Sequence, residues 1–256
     1  MGVVVVLALL GSLLGSYALR ATELQLSRAE FAKYSEAAWA HYEKQCKARA
    51  GEKIYRTVED VKGILLWNPR RKATDAQLRD RDWRGDPYGN DVFLSGGEIR
   101  NYLGDLNTRD QAVLRSTSRP GYSFVETREG DGTYVRHVID HKESKIVAFP
   151  VKALESKFRI VWDDISTDED RKYWVAGGRL RVLALDTNEV LAERIGYLIE
   201  PQFGSQSGGR VPWGHARFMS SDRAACPPFP PKNIVPINRL FVQKVLKPAP
   251  HETNGK

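Results

Sequence analysis

His137, Asp140 and His141, in the stretch RHVIDHKE, are residue types that bind metals. Two histidines four residues apart can chelate one ion from a helix. On a strand they share a face but stand about 13 Å apart, at roughly 3.3 Å per residue. The alternating residues around them predict a strand, so a shared ion would need a sharp turn. His215, in Trp213-Gly214-His215, is a single loop histidine, a position that is ordinarily solvated or hydrogen-bonded.

The carboxylates Asp163 and Asp164 are adjacent. Neighbouring strand residues point to opposite faces, so these two do not form an acid/base pair with each other. A hydrolase built on either would need a distant partner such as Glu126 or Glu193. Ser205 and Ser207 lie in the glycine-rich stretch FGSQSGG, which is neither a Gly-x-Ser-x-Gly elbow nor, lacking Lys-Ser/Thr, a phosphate loop. These residues therefore assign no catalytic, metal or cofactor site.

Cys46 and Cys226 are the two cysteines. They are too few for a four-cysteine zinc site, and their spacing matches no CxxC motif. In an oxidising compartment they would form one disulfide, closing a loop long enough to stabilise the fold by roughly 5 kcal/mol. The alternative is two separate buried thiols. Trp162, Tyr173, Trp174 and Trp213 lie in or just after the last strand signals. Exposed together they would grip carbohydrate or another chain; otherwise they fill the core.

The net charge is +7, from 39 basic and 32 acidic residues. The two signs interleave, as in Arg79-Asp80-Arg81-Asp82, and the longest basic block is Arg70-Arg71-Lys72. A nucleic-acid binder would show a basic stripe or a named motif, so nucleic acid is disfavoured as partner. An anionic membrane surface or polyanionic wall polymer is the better match.

These side chains must be placed by the elements around them. Residues 2–19, GVVVVLALLGSLLGSYAL, carry no charge. As a helix they reach roughly 27 Å, close to a hydrocarbon core of about 30 Å. Ser16-Tyr17-Ala18 has the small-residue spacing of a signal-peptidase site, whereas Arg20, Arg28 and Lys33 follow the apolar run and would hold the next domain in the cytoplasm. Residues 1–19 are thus read as a signal peptide or a membrane anchor, with export favoured.

Ser27-Arg28-Ala29-Glu30 has the form of a capping box. Phe31, Tyr34, Ala38, Tyr42 and Cys46 then recur at helical steps, and Gly51 supplies the stop. Residues 20–51 are expected to form an amphipathic helix packing on the domain, with Cys46 facing inward. Strands are expected at Lys53–Val58, with helix as alternative, and at Ile64–Trp67, then a surface excursion from Arg70 to Asn90 with room for one turn of helix. Further strands are expected at Tyr122–Arg128, Thr133–Asp140, Ile146–Val151, Lys157–Ile165, Lys172–Leu185 and Glu189–Glu200. Arg239–Leu246 reads as a terminal strand, with a short helix as alternative, before a polar tail at 248–256.

Strands in series without helical patterns between them argue for antiparallel pairing. The fold class is α+β: a membrane-directed helix and an amphipathic helix, then a mainly antiparallel β-sheet domain over 52–247. The function expected is an exported or membrane-tethered envelope protein, periplasmic or extracellular, of non-catalytic binding or assembly type. Its partners would be the membrane through residues 2–19 and another envelope protein or a cell-wall polymer. The alternative is an exported hydrolase whose carboxylates meet only in the fold.

Overall fold

A computed structural model describes residues 28–89, 97–103, 121–140, 142–143, 145–219, 223–229 and 237–250. The apolar segment 2–19, the cap at Ser27 and His141 lie outside the described residues. The chain divides into two compact units, Met1–Ala40 and His41–Lys256. In the first, the described residues are the start of helix α1 (Arg28–Arg49), where Phe31 is exposed and Ala38 is buried. No helix among the described residues is long and apolar enough to cross a membrane.

The second unit opens with the end of α1 and strand β1 (Gly51–Ile54), then β2 (Val58–Val61) and β3 (Gly63–Leu66). Helices α2 (Asp75–Arg79) and α3 (Gly97–Leu103) precede the hairpin-linked strands β4 (Phe124–Arg128), β5 (Tyr134–Asp140) and β6 (Lys145–Val151). A second series follows: β7 (Phe158–Asp164), α4 (Asp168–Lys172), β8 (Val175–Ala184) and β9 (Val190–Ile199). Helix α5 (Pro212–Met219), β10 (Ala225–Cys226), α6 (Ile237–Val245) and β11 (Leu246–Pro248) complete it.

These strands build a nine-stranded sheet of order β1-β9-β8-β7-β3-β4-β5-β6, with β10 also on β9. The two series are each antiparallel, but β3 lies between them and runs parallel to both β4 and β7. The sheet is therefore mixed rather than purely antiparallel, with β3 the parallel strand in a mainly antiparallel order. The reason is visible in β3 itself: its residues GILL are buried without alternation, the pattern of a strand covered on both faces. A separate two-stranded sheet pairs β2 with β11 in parallel.

Three local expectations also change. Arg239–Leu246 is mostly helix α6, because Phe241, Val242 and Val245 fall on one helical face and are fully buried. Residues 168–172 form helix α4 under a capping box at Thr167, so β8 starts at Val175 rather than Lys172. The excursion from Arg70 does not stay at the surface: Asp86 and Tyr88 are buried.

Strand alternation gives β7, β8 and β9 two unlike faces. Ile160, Leu180, Val182 and Ala192 form a core with Phe241, Val242 and Val245 of α6 and with Ile64 and Leu66 of β3. Tyr88, Ala176, Leu198, Trp213 and Ala225 form a second core at the other end of the strands. Arg159, Val161, Asp163, Arg179, Arg181 and Glu193 point the opposite way and are half-exposed.

Candidate functional site

The half-exposed face is a charged lattice. Asp163 accepts hydrogen bonds from Arg179 Nε at 3.1 Å and Arg181 Nη2 at 2.9 Å. Register explains this: Asp163 stands opposite Arg179, and Val161 opposite Arg181. Arg179 also reaches Glu193 at 3.9 Å.

Trp67, just after β3, lies beneath two guanidinium groups. Arg128 of β4 and Arg159 of β7 each sit 4.8 Å from its ring centroid. They come from the strands on either side of β3, and a cation over an indole face is favoured by the ring quadrupole. Arg159 Nη2 also donates to Asn188 Oδ1 at 2.6 Å. Among the described residues neither Arg128 nor Arg159 joins an ion pair.

Farther along the face, the fully buried Glu126 takes Arg136 Nη2 at 2.7 Å and the amides of Glu155 and Ser156 at 3.2 and 3.0 Å. Burial pushes its carboxyl up, but hydrogen bonds from Ser156, Arg136 and Glu155 together hold it below the usual range. At the opposite end the face is bounded, within the second unit, by the last turns of α1 from His41 to Arg49. Cys46 lies at disulfide distance from Cys226 of β10, with Cα atoms 5.8 Å apart. His41 and Gln45 bond Asp170 at 2.7 and 3.0 Å, and Arg49 stands 5.9 Å from the Tyr197 ring.

The covered face holds a second ionic cluster. Arg70 donates to Asp86 at 2.5 Å and to Glu98 at 3.3 Å, and Arg171 donates to Asp164 at 2.6 Å. The Asp86 amide donates to Asp164 at 3.0 Å, linking the two pairs. Burial lifts the Asp86 carboxyl to about 6 against the pull of Arg70, and it raises Glu98 in the same way. The cavity among Arg70, Asp86, Tyr88, Arg194 and Asn238 holds about 10 Å³. Organic ligands occupy about 300 Å³ or more, so this cluster braces a turn and is not a ligand pocket.

The tryptophans and tyrosine singled out in the sequence do not share one exposed face. Trp213 is fully buried, donates Nε1–H to Asp80 O at 2.9 Å and lies 5.2 Å from the Trp174 ring. Trp162 is half-buried, its Nε1–H bonded to Asn68 O, with Arg70 5.0 Å from its ring. Tyr173 packs 5.3 Å from His41.

His137 is on a strand, 3.0 Å from Thr127 Oγ1, and burial lowers its pKa. Asp140 caps a turn by accepting the amides of Lys142 and Glu143. His215 is exposed on α5, and the Ser205 and Ser207 hydroxyls lie 3.4 Å apart. Among the described residues no three His, Cys, Asp or Glu side chains gather as metal ligands.

Trp67, Arg128 and Arg159 carry no motif, and reading the sequence missed them. Only the pairing of β3 with β4 and β7 brings them together. Compared with protein-family models, curated proteins and solved structures, the chain matches none.

Proposed function

We propose that the chain is an exported or membrane-tethered envelope protein that works by binding or assembly, with the half-exposed face of β7–β9 and β3–β4 as its contact surface. The observation that carries this reading is the arginine-rich lattice laid out on a sheet face that α6 leaves uncovered. Charged, partly solvated side chains held in register give a surface specificity for a partner of complementary charge. The disulfide distance between Cys46 and Cys226 supports an oxidising compartment.

The hydrolase alternative has less support. Asp163, Asp164, Asp86 and Glu126 are each held by arginine, and Asp163 and Asp164 serve opposite faces. A catalytic acid needs a raised pKa and access to substrate, and the carboxyl raised to about 6, Asp86, is buried.

Fractionation of cells making the full chain tests the reading, combined with protease treatment from outside the inner membrane and thiol alkylation before lysis. The expected result is a protease-sensitive domain with Cys46 and Cys226 refractory to alkylation without reductant. A protected domain with both thiols alkylated would overturn it.

A further inference from the structure

The open face carries two guanidinium groups, Arg128 and Arg159, that join no ion pair among the described residues, and beside them Arg181, which shares Asp163 with Arg179. Trp67 and Arg128 lie one residue beyond the paired Leu66 and Thr127, and the Trp67 amide bonds Ile160 O on β7 at 3.0 Å. Arg181 stands on the next strand opposite Val161. Neighbouring strands are about 4.8 Å apart, so Arg128 and Arg181 lie in one row across the sheet with Trp67 and Val161 between them, and Arg159 stands two residues back along β7 in the adjacent row. The adjacent row runs through paired positions from Phe149 past Arg136, Glu126 and Leu65 to Arg159. Phe149 is 43% exposed.

We propose that Arg128, Arg159 and Arg181, with Trp67 bracing the first two, are a track for an acidic glycan, a polymer whose sugars carry carboxylate or phosphate groups. Each guanidinium offers a planar fork of donors that matches a carboxylate or phosphate. Stacking on Trp67 fixes the direction of Arg128 and Arg159 without neutralising them. Phe149 offers a ring against which the C–H face of a sugar packs.

Two other polyanions fit less well. Single-stranded nucleic acid stacks its bases on open aromatic rings, and Trp67 has guanidinium groups over it from both neighbouring strands. A bilayer surface is held by a band of apolar side chains beside the cations, whereas Phe149 is the one large apolar side chain exposed among the described residues of β3–β9, and Arg136 stands opposite it. The choice of a wall-type polymer rests on the envelope reading proposed above; binding by the purified chain does not depend on the compartment.

The test is binding of the purified full chain to polygalacturonate at low salt. Pullulan is the neutral comparison, and a thymidylate 30-mer and phosphatidylglycerol vesicles are the competing polyanions. The wild type is expected to bind polygalacturonate in preference to all three, with affinity falling as salt rises. The R128Q/R159Q variant is expected to bind about tenfold more weakly, while the charge-matched R81Q/K142Q variant stays within about twofold of the wild type.

If the double variant fails to fold by near-ultraviolet circular dichroism, Arg128→Gln alone, at an exposed position, is expected to weaken binding about threefold. No binding by the wild type, equal loss in the charge-matched variant, or preference for the thymidylate or the vesicles would overturn the proposal. A failed fractionation with intact polygalacturonate binding would reject the envelope reading alone.

Discussion

Gly178 stands directly opposite Gly196 across β8 and β9, and the bare backbone of that pair admits the Asp86 carboxylate and the Tyr88 ring. A Cβ on Gly178 would collide with Asp86, and one on Gly196 with Tyr88. The turn they receive is tied down on every side. Tyr88 donates to Pro227 O at 3.1 Å and accepts from Arg194 at 2.7 Å, and Asn238 bonds Gly89 O at 2.8 Å.

Alanine at either glycine should therefore displace the turn. Gly178→Ala and Gly196→Ala are each expected to lower stability by about 1–3 kcal/mol, the usual cost of overfilling a packed site. Urea unfolding of the single variants checks this. The double variant should cost less than the sum, because both substitutions expel the same segment.

Asp86 should give the fold a component of stability that strengthens in mild acid. Its folded pKa of about 6 lies above the ordinary 3.8 because of burial, with Arg70 opposing and Asp164 adding. Between those values the folded chain binds more protons at this site than the unfolded chain does. The contribution is then fully present below about pH 4 and is lost as pH rises through about 6. Urea midpoints of wild type and Asp86→Asn at pH 5 and pH 7.5 test it: the difference should shift in favour of the wild type at pH 5.

Glu126 works in the other direction. Its depressed folded pKa means that its stabilisation is present above the ordinary carboxylate range and is lost as pH falls through the folded value. Glu126→Gln leaves Arg136 without its buried charge partner and should cost about 3 kcal/mol at neutral pH. Acid titration of the circular dichroism signal should show a smaller gap between variant and wild type at low pH.

The covalent link is testable by peptide mapping. Digestion without reductant should yield one peptide pair joining Cys46 to Cys226, which are 180 residues apart. The C46S/C226S variant should lose about 2–5 kcal/mol, and reductant should destabilise only the wild type.

Trp213 provides a check on its role as core. The ring is fully buried against Trp174 and Arg171, so Trp213→Ala should cost about 3–5 kcal/mol in thermal or urea unfolding. A surface role would leave stability within about 0.5 kcal/mol.

Local order was legible in the residues wherever it depends on neighbours in the chain. The helix ending before Gly51, the turns at Glu129–Gly132 and Asp186–Asn188, and the strands β4 to β9 follow from periodicity and turn chemistry. So does the split of Arg179 and Arg181 from Leu180 and Val182, because strand side chains alternate. Helix α6 was harder: Leu240-Phe241-Val242 is a continuous apolar run, which strand and helix share, and only burial on one helical face decides it.

The candidate site was not legible, for a topological reason. Trp67, Arg128 and Arg159 are far apart in the chain, and their meeting depends on β3 entering between two antiparallel series as a parallel strand. Parallel pairing leaves no hairpin turn in the sequence to announce it.

The cysteines show the same division of labour. Helical spacing turned Cys46 toward the body of the protein, as an amphipathic stripe must. That Cys226 waits there follows from β10 lying on the edge of β9 beside Tyr197, a long-range pairing. Residue type and local period thus decide which side chains face inward and which carry charge. Which of them become neighbours is decided by strand order, because hydrogen-bonded pairing joins segments that no local pattern relates.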